Sequence, residues 1–481
     1  MPKTMNAMKS LPISATMSLD VGIIHFIGIG GIGMSGIAEV LHNQGYKVQG
    51  SDLSESANVE RLRDKGIKVF IGQKAENIEE ADVIVKSTAV KYDNPEIIAA
   101  REMRIPVVKR SEMLAEVMRL KMCVAIAGTH GKTTTTSLTA TLLEAGGLEP
   151  TVINGGIINA YGTNAKVGKG EWMVVEADES DGTFTRLPIS VGIITNIDPE
   201  HLDYYGDFDT LKGAFAQFLE NLPFYGFAAL CIDHPEVQKL AASVKDRRIL
   251  TYGTSPQADI RADNIRINTL GQTFDLYMSK SLTEEDQVWH DMHLPMHGEH
   301  NLLNSLAAIA VAEELKMPMA EIKKSLGGFE GVKRRFTHVG EVGGYRIIDD
   351  YAHHPVEIAA TLSSARQAVE ETGGRVITVM QPHRYSRVES LFEDFSTCFN
   401  DADIVYITPI FEAGEQPIDG ISRESLVEAI RAAGHRNVMP IDAPENLAMT
   451  IKNIAQKDDI VVCMGAGSIS LWANALPEQL R

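Results

Sequence analysis

The sequence has few cysteines and no long apolar run. Only four of its 481 residues are cysteine and none belongs to a C-x-x-C pair, which excludes a disulfide framework and predicts buried thiols in a reducing compartment. No run of about 18 apolar residues is present, which excludes a membrane-spanning helix. Residues 1–20 have neither an apolar core nor a small-residue cleavage site, so we expect a disordered tail, no secretory signal and a cytoplasmic protein.

Positive charge is also scarce. The chain has 45 Lys and Arg against 64 Asp and Glu, a net charge of −19. Because such a surface repels phosphate-rich polymers and acidic membranes, this balance argues against nucleic-acid and membrane partners. Any phosphorylated ligand must therefore be small and held locally.

Short apolar runs alternate with helical stretches along the chain, which is typical of α/β domains. At ~150 residues per domain, the length suggests about three domains. After the tail at 1–20, we predict α/β domains at 21–120, 121–335 and 336–481. Alternating polar and apolar residues around 255–295 predict antiparallel strands in the second domain, whereas short buried runs predict a parallel sheet in the third.

A glycine turn in the second domain is the most informative segment. Residues 127–136 read A-G-T-H-G-K-T-T-T-T and follow the apolar run 123–126. A strand, a glycine turn and a helix opened by Lys132 direct backbone N–H groups and an ammonium at one point, which suits ATP, and the hydroxyl of Thr133 suits Mg²⁺. Ile126 stands where the common phosphate-binding loop has its first glycine, so this loop is a variant.

A second glycine turn lies in the first domain. Residues 28–33 read G-I-G-G-I-G, and Asp52 follows the next strand. This pattern matches the dinucleotide fingerprint, in which the turn approaches a diphosphate and the acidic residue meets a ribose. From the residues alone three interpretations stay open: a nicotinamide dinucleotide, the diphosphate of a UDP-sugar, or a packing turn without a ligand.

Charged loops follow two strands of the second domain. Residues 176–181 read E-A-D-E-S-D, and residues 195–203 read T-N-I-D-P-E-H-L-D. Because ligands bind at the carboxyl ends of parallel strands, Glu179 beside Thr133 predicts a magnesium site, and His201 is predicted to face the same ligand. A solvated acidic loop and a structural histidine are the alternatives.

Amides and cations lie near the second domain boundary. Asn301 and Asn304 open a helix, where they either cap it or bind an adenine edge. The cluster 333–335, K-R-R, is either a solvated hinge or a source of a cation for a triphosphate.

Two polar segments follow strands of the third domain. They are 349–355, D-D-Y-A-H-H-P, and 381–387, Q-P-H-R-Y-S-R. Because guanidinium groups bind carboxylates in a bidentate fork, Arg384 and Arg387 predict a carboxylate-binding patch opposite the ATP loop.

Taken in order with the extended first turn G-I-G-G-I-G-M-S-G-I-A-E-V-L, H-N-L-L-N and V-K-R-R-F, these motifs resemble the ATP-dependent muramyl ligases of peptidoglycan synthesis from about residue 22 to 473. The resemblance implies a Rossmann-like domain for a UDP-sugar, a central P-loop ATPase domain and a Rossmann-like domain for an amino acid. It also implies a monomer or homodimer that uses Mg²⁺, ATP, UDP-N-acetylmuramate and L-alanine, and that forms an acyl phosphate.

The resemblance assigns residues to five overlapping groups. Those near the reacting groups are Lys132, His130, Glu179 and His201. Those for ATP are Gly128, Thr129, His130, Gly131, Lys132, Thr133, Thr134, Asn301, Asn304, Arg335 and Asp350. Those for the UDP-sugar are Gly28, Gly30, Gly31, Gly33, Asp52 and Ser87, and those for the amino acid are Tyr351, His353, Arg384 and Arg387. The implied metal ligands are Thr133, Glu179 and His201.

One departure and several alternatives accompany this resemblance. Later-acting muramyl ligases use a carbamylated lysine downstream of the loop at 195–203, and no lysine lies between Lys212 and Lys239 here, which argues against a carbamate bridge. A recycling ligase for a tripeptide is the alternative within the family, although D-D-Y-A-H-H-P-V-E at 349–357 favours L-alanine. Residues 22–120 argue against folylpolyglutamate synthetase, which lacks a domain of this kind. A nicotinamide dehydrogenase would have no use for the ATP loop. A nucleotide-gated scaffold without turnover would not explain Arg384 and Arg387 in the third domain.

Overall fold

The computed structural model describes residues 21–87, 89–280 and 285–481, so the tail expected at 1–20 lies outside the described residues. These residues form three α/β units in chain order, which confirms the predicted fold class. Among them, no helix has both the length and the apolar character needed to cross a bilayer.

The first unit is a doubly wound parallel sheet. Its strands are β1 Ile23–Ile27, β2 Lys47–Asp52, β3 Lys68–Ile71, β4 Val83–Lys86 and β5 Val107–Lys109. Its helices are α1 Ile32–Asn43, α2 Ala57–Asp64, α3 Pro95–Glu102 and α4 Arg110–Met118. The strands pair in the order β3-β2-β1-β4-β5. The order reverses between β1 and β4, so the glycine turn after β1 and Ser87 after β4 lie where such sheets bind ligands.

The second unit has a larger mixed sheet. Its strands are β6 Met122–Ala127, β7 Thr151–Ile158, β8 Thr163–Lys166, β9 Trp172–Glu176, β10 Val191–Ile194, β11 Phe227–Cys231, β12 Arg248–Gly253, β13 Ile260–Asn268, β14 Gly271–Met278 and β15 Gln287–Leu294. Its helices are α5 Lys132–Ala145, α6 Leu202–Tyr205, α7 Phe208–Glu220, α8 Pro235–Ser243, α9 Glu299–Glu314 and α10 Met319–Gly327. The strand order is β15-β14-β13-β12-β11-β10-β6-β9-β7-β8.

The centre of this sheet positions the site. Strand β6 pairs in parallel with β10 on one side and β9 on the other, so the loops that follow these three strands meet at one edge. The antiparallel strands predicted around 255–295 are confirmed, because β14 pairs antiparallel with both β13 and β15.

The third unit is a six-stranded sheet from residue 337 onward, a stretch that is described throughout. Its strands are β16 Thr337–Val342, β17 Tyr345–Asp350, β18 Val376–Met380, β19 Ile404–Ile407, β20 Val438–Pro440 and β21 Ile460–Met464, in the order β16-β17-β21-β18-β19-β20. Its helices are α11 Pro355–Glu370, α12 Tyr385–Ser390, α13 Phe392–Thr397, α14 Arg423–Ala432, α15 Pro444–Ile454 and α16 Ile469–Gln479.

Strand β16 departs from the parallel sheet predicted for this unit. It pairs antiparallel with β17, whereas β17 to β21 pair in parallel. The turn between β16 and β17 contains Gly343 and Gly344, with φ of 58° and 82°. Two consecutive left-handed residues form the tight turn of a two-residue hairpin, and glycine adopts this conformation without strain.

The cysteine prediction holds for three of the four thiols. Cys123, Cys231 and Cys463 are buried in β6, β11 and β21, whereas Cys398, just after α13, is half-buried. All four are free thiols.

The first and second units share a hydrophobic core. One cluster of buried side chains runs from Ile24 in β1 to Phe215 in α7. Helix α1 approaches β8 closely at Gly36, where an added Cβ would lie 3.1 Å from the Cβ of Ala165. Arg61 donates to the Thr163 hydroxyl at 2.7 Å across the same boundary. Packing and hydrogen bonding therefore join these two units.

The link between the second and third units, residues 333–336, contains two strained residues. Arg334 and Phe336 have φ of 62° and 49°, which non-glycine residues rarely adopt. Their backbone is held from the third unit: Tyr351 N donates to Arg334 O at 2.8 Å, and Phe336 N donates to Oδ2 of Asp350 at 2.6 Å. The chain therefore turns sharply where it enters the third sheet.

Candidate active site

The loop between β6 and α5 requires glycine at two positions. Gly128 and Gly131 have φ of 132° and 85°. A Cβ on Gly128 would lie 2.1 Å from the Thr195 hydroxyl, and one on Gly131 would lie 2.6 Å from Oδ1 of Asn304. Among the described residues no side chain caps α5, so its first N–H groups are available to a phosphate.

Lys132 forms a buried ion pair with Glu179. Its Nζ lies 2.9 and 2.8 Å from the carboxylate oxygens, and it also donates to Gly128 O at 2.6 Å and Thr129 O at 3.1 Å. Burial opposes the ammonium charge, but the Glu179 carboxylate outweighs burial and raises the pKa of Lys132. A full positive charge is therefore held at the start of α5.

His201, Glu179 and Glu200 lie together beside this ion pair. His201 Nε2 is 3.8 Å from Oε1 of Glu179 and 3.7 Å from Oε2 of Glu200, and the ligand atoms of all three lie within 4.8 Å of one another. Thr133 is buried in the first turn of α5. Because Mg²⁺ prefers one or two carboxylates together with phosphate oxygens and water, the carboxylates of Glu179 and Glu200 fit the predicted metal, and ligation by Thr133 and His201 stays a prediction.

Most of the predicted ATP residues border one cavity of about 240 Å³. The predicted residues that line it are His130, Gly131, Thr134, Asn301, Asn304, Arg335 and Asp350. They come from the ATP loop, the start of α9, the link and the end of β17. The fold therefore brings together residues that are distant in sequence.

The amides of α9 do not cap that helix. Gly298 is the N-cap residue, Asn301 Nδ2 donates to His297 O at 2.8 Å, and Oδ1 of Asn304 accepts from the Thr135 hydroxyl at 3.1 Å. The capping interpretation is therefore wrong, and contact with adenine stays a prediction.

Asp350 is engaged by the backbone of its own unit. Oδ2 accepts from Phe336 N at 2.6 Å, and Oδ1 accepts from Ala352 N at 2.7 Å. Burial raises its pKa despite the nearby charge of Arg335. The Asp350 carboxylate therefore helps to fix the wall of the cavity, and its contact with a ligand stays a prediction.

His130 lies between acidic side chains of two units. Nδ1 is 3.5 Å from Oε1 of Glu357, and Nε2 is 3.7 Å from Oδ2 of Asp198. Burial lowers the pKa of His130, but the hydrogen bond and charge of Glu357 outweigh it and raise the pKa overall.

The first glycine turn is braced by its acidic partner. Oδ2 of Asp52 accepts from Gly30 N at 2.8 Å, and Oδ1 accepts from Leu53 N at 2.8 Å. Gly28 has φ of 78°, and an added Cβ there would lie 3.4 Å from the Cβ of Ser87. Asp52 thus stabilises the turn, and its contact with a ligand stays a prediction.

Arg110 connects this turn with the acidic loop after β9. Its Nη1 would lie 2.7 Å from a Cβ added at Gly33, and its Nη2 is 3.3 Å from Oδ2 of Asp178. Gly31, the N-cap residue of α1, donates its N–H to Gly28 O at 3.2 Å. A cation therefore lies between the first glycine turn and the acidic loop after β9.

The third-unit residues are only partly assembled as predicted. The rings of Tyr351 and His353 are 5.1 Å apart, and His353 is 6.0 Å from His383. Arg387 is half-buried with Nη1 3.4 Å from Nδ1 of His383, whereas Arg384 is exposed. A paired fork of both arginines stays a prediction.

Sequence reasoning did not single out four residues of this site. Asp198, Glu200 and Glu357 all lie within recognised motifs. The signal that could have identified them is their closeness in sequence to a histidine, His201 for the first two and His354 for Glu357. Arg110 has no motif around it and becomes visible only through its contact with Gly33.

Three family models match consecutive parts of the chain. They are a Mur ligase family catalytic domain at residues 23–122, a Mur ligase middle domain at 126–312 and a Mur ligase glutamate ligase domain at 334–467. Together they match most of its length.

Individual relatives match almost end to end. The UDP-N-acetylmuramate–L-alanine ligase of Brucella ovis is 60% identical over 464 residues, 96% of this chain and 98% of that protein. The protein of the same name from Parvibaculum lavamentivorans is 62% identical over 462 residues, 96% and 94% of the two chains. The solved UDP-N-acetylmuramate-alanine ligase of Thermotoga maritima has a TM-score of 0.79 at 28% identity, covering 95% of this chain and 99% of that one. A murein peptide ligase of Psychrobacter arcticus, with a TM-score of 0.68 at 22% identity and coverage of 95% and 98%, shares the fold.

Proposed function

The chain belongs to the Mur ligase family, and on that premise we propose that it joins L-alanine to the lactyl carboxylate of UDP-N-acetylmuramate at the expense of ATP. The products are UDP-N-acetylmuramoyl-L-alanine, ADP and phosphate. Relatives named for this reaction match 96% of the chain at 60% identity and more, and this observation carries the choice of substrates.

Two bond-forming steps follow from this stoichiometry. The lactyl carboxylate attacks the γ-phosphorus of ATP, ADP leaves, and an acyl phosphate forms. The amine of L-alanine then attacks the acyl carbon, phosphate leaves, and the amide remains. Because two anions meet in the first step, fixed positive charge near the γ-phosphate lowers the barrier.

Lys132 supplies that charge from the ATP loop. Its Nζ exchanges the Glu179 carboxylate for phosphate oxygens, and His130 lies on the same loop beside the reacting carboxylate. Thr133, Glu179 and His201 are the groups that would hold Mg²⁺, which neutralises phosphate charge when bound. The buried Lys132–Glu179 pair, with His201 at 3.8 Å, supports this assignment.

The remaining assignments follow the three units. We assign residues 21–120 to the UDP-sugar, whose diphosphate lies on the turn at 28–33. Residues 121–335 are assigned to ATP, whose adenine lies beside Asn301 and Asn304. Residues 336–481 are assigned to L-alanine. Tyr351, His353, Arg384 and Arg387 hold the amino-acid side of the site. Residues of the ATP loop, of α9 and of the third unit line one cavity, which supports placing ATP and the amino acid next to each other.

A phosphate-release assay with each component omitted in turn tests the function. Release is expected only when UDP-N-acetylmuramate, Mg²⁺, ATP and L-alanine are all present, since the acyl phosphate is unproductive without its amine. A peptide that begins with L-alanine, offered in its place, tests the recycling alternative. Robust turnover with ATP alone, or NADH oxidation with a 2-oxo acid, contradicts the ligase.

A further inference from the structure

Glu357 is a carboxylate at the boundary between the second and third units. It lies in the first turn of α11, and its side chain is 17% exposed. Oε2 accepts from the backbone N–H of His353 at 3.1 Å and of His354 at 3.4 Å. These bonds belong to the capping of the helix and fix the direction of the carboxylate.

The same carboxylate faces three cationic or titratable side chains. Oε1 is 3.5 Å from Nδ1 of His130 and 3.9 Å from Nη1 of Arg335, and Oε2 is 3.5 Å from Nδ1 of His353. His130 belongs to the ATP loop, Arg335 to the link, and His353 to the third unit. One group from α11 therefore touches the ATP loop, the link and the predicted amine side.

The backbone of His130 is fixed independently of Glu357. Its N–H donates to Oδ1 of Asn196 at 2.7 Å, and its carbonyl accepts from the Thr195 hydroxyl at 2.6 Å. The orientation of the ring is therefore set by its own contacts, of which Oε1 of Glu357 lies 3.5 Å from Nδ1. Asp198 at 3.7 Å faces the other nitrogen, and the ring of His354 lies 5.3 Å away.

The two ring nitrogens have different surroundings. A proton on Nδ1 would face the Glu357 carboxylate, whose Oε1 lies 3.5 Å away. Nε2 is buried and has no hydrogen-bond partner within the described part of the chain. With Nδ1 directed at Glu357, Nε2 lies 3.7 Å from Oδ2 of Asp198, on the other side of the ring.

We infer that Glu357 is the positioning residue for His130: the third unit supplies the carboxylate that orients the imidazole of the ATP loop for phosphoryl transfer. The inference rests on the ligase function proposed above. It gives α11 a part in the first chemical step, although the third unit is assigned to the amine of the second. When α11 moves away from the ATP loop, His130 loses its orientation and transfer to the lactyl carboxylate slows.

A double-mutant cycle tests this role in the full-length protein. The variants are Glu357→Gln, which keeps an oxygen acceptor for the backbone but removes the charge, His130→Ala, and the two combined. Glu357→Gln is expected to lower kcat about 10²-fold with the KM values for ATP and UDP-N-acetylmuramate nearly unchanged. The double variant should be no slower than His130→Ala alone, since Glu357 acts through that ring.

Two further variants serve as controls. Glu357→Asp retains the carboxylate one methylene short and should recover part of the lost kcat. Glu445→Gln removes an exposed carboxylate that also follows the first-turn proline of a third-unit helix, α15, and should match the wild type. If Glu357→Gln lowers the unfolding temperature, its loss of kcat could come from instability. The double-mutant cycle is then repeated with Glu357→Asp in place of Glu357→Gln, and its result decides whether Glu357 acts through His130.

Three results would overturn the inference. The first is a double variant in which the two losses of kcat multiply, and the second is unchanged kinetics in Glu357→Gln. The third is a Glu357→Gln variant in which KM for L-alanine rises while kcat is unchanged, because Glu357 would then act through His353. Failure of the proposed function is a separate outcome, because the wild type would then not release phosphate with the full substrate set.

Discussion

At the scale of single residues, Lys132 is the side chain on which we expect the chemistry to depend most. Its ammonium is already desolvated and aligned by Glu179 at 2.8 Å. Lys132→Ala should lower kcat by a factor of ~10³ in the phosphate-release assay, because the lost charge acts where negative charge gathers. Lys239→Ala, which removes an exposed lysine of α8 paired with Glu236, should change kcat little. Near wild-type turnover in Lys132→Ala would mean that the ATP loop is elsewhere.

Arg387 is the better placed of the two predicted carboxylate ligands. It is half-buried beside His383, whereas Arg384 is exposed. Arg387→Lys keeps a charge but loses the planar fork, so KM for L-alanine should rise by about 10- to 150-fold, the equivalent of roughly 1.5–3 kcal/mol. Arg384→Lys should have a smaller effect. Titration of each substrate separately measures this, and a rise in the ATP KM instead would move Arg387 to the nucleotide.

Residues on strand-end loops could be predicted because local sequence places them. Lys132, Glu179 and His201 each follow a buried strand, and strand order then brings their loops together. Glu357 and Arg110 could not be predicted in this way. Their partners, His130 and Gly33, lie far away in sequence, so their proximity depends on how whole units pack.

At the scale of secondary-structure elements, the segment from β18 to α12 contains a histidine ring that makes stability sensitive to acid. His383 stacks on Phe411 with centroids 5.5 Å apart. Burial and the neighbouring charges of His353 and Arg387 lower the pKa of His383 to about 4.

A histidine with a lowered folded pKa binds more protons when the chain is unfolded, so its contribution to stability is complete above about pH 6.5 and is lost as the pH falls toward 4. His383→Gln should reduce the slope of unfolding free energy against pH between these limits. Denaturant unfolding at a series of pH values measures the slope, and an unchanged slope would place the sensitivity on other groups.

Elements with a clear period were predictable, and those set by tertiary pairing were not. Apolar strands such as β6 and β10 follow from their runs of buried residues. Strand β16 did not, because its side chains are only partly buried and its pairing depends on the hairpin at Gly343 and Gly344.

At the scale of the whole molecule, the first two units should unfold together and the third separately. One apolar cluster spans β1 and α7, whereas the clusters of the third unit contain only residues from 336 onward. Calorimetry should therefore resolve two transitions.

Gly36→Val offers a probe of this assignment. The added methyl groups meet Ala165, which an added Cβ would already approach to 3.1 Å, so the joint transition should lose about 1–3 kcal/mol while the third-unit transition stays in place. A single transition that shifts as a whole would show that the three units unfold as one.

The arrangement of the sheets has a consequence for synthesis. Each draws its strands from one uninterrupted stretch, β1 to β5, β6 to β15 and β16 to β21. Among the described strands, none pairs with a strand of a later unit, so each sheet can close as its own segment leaves the ribosome. The unit proposed for L-alanine emerges last, so a nascent chain without it contains the glycine turn proposed for the sugar nucleotide but lacks the carboxylate of Glu357 against His130. We therefore expect the ATP loop to become fully active only after the final unit has formed.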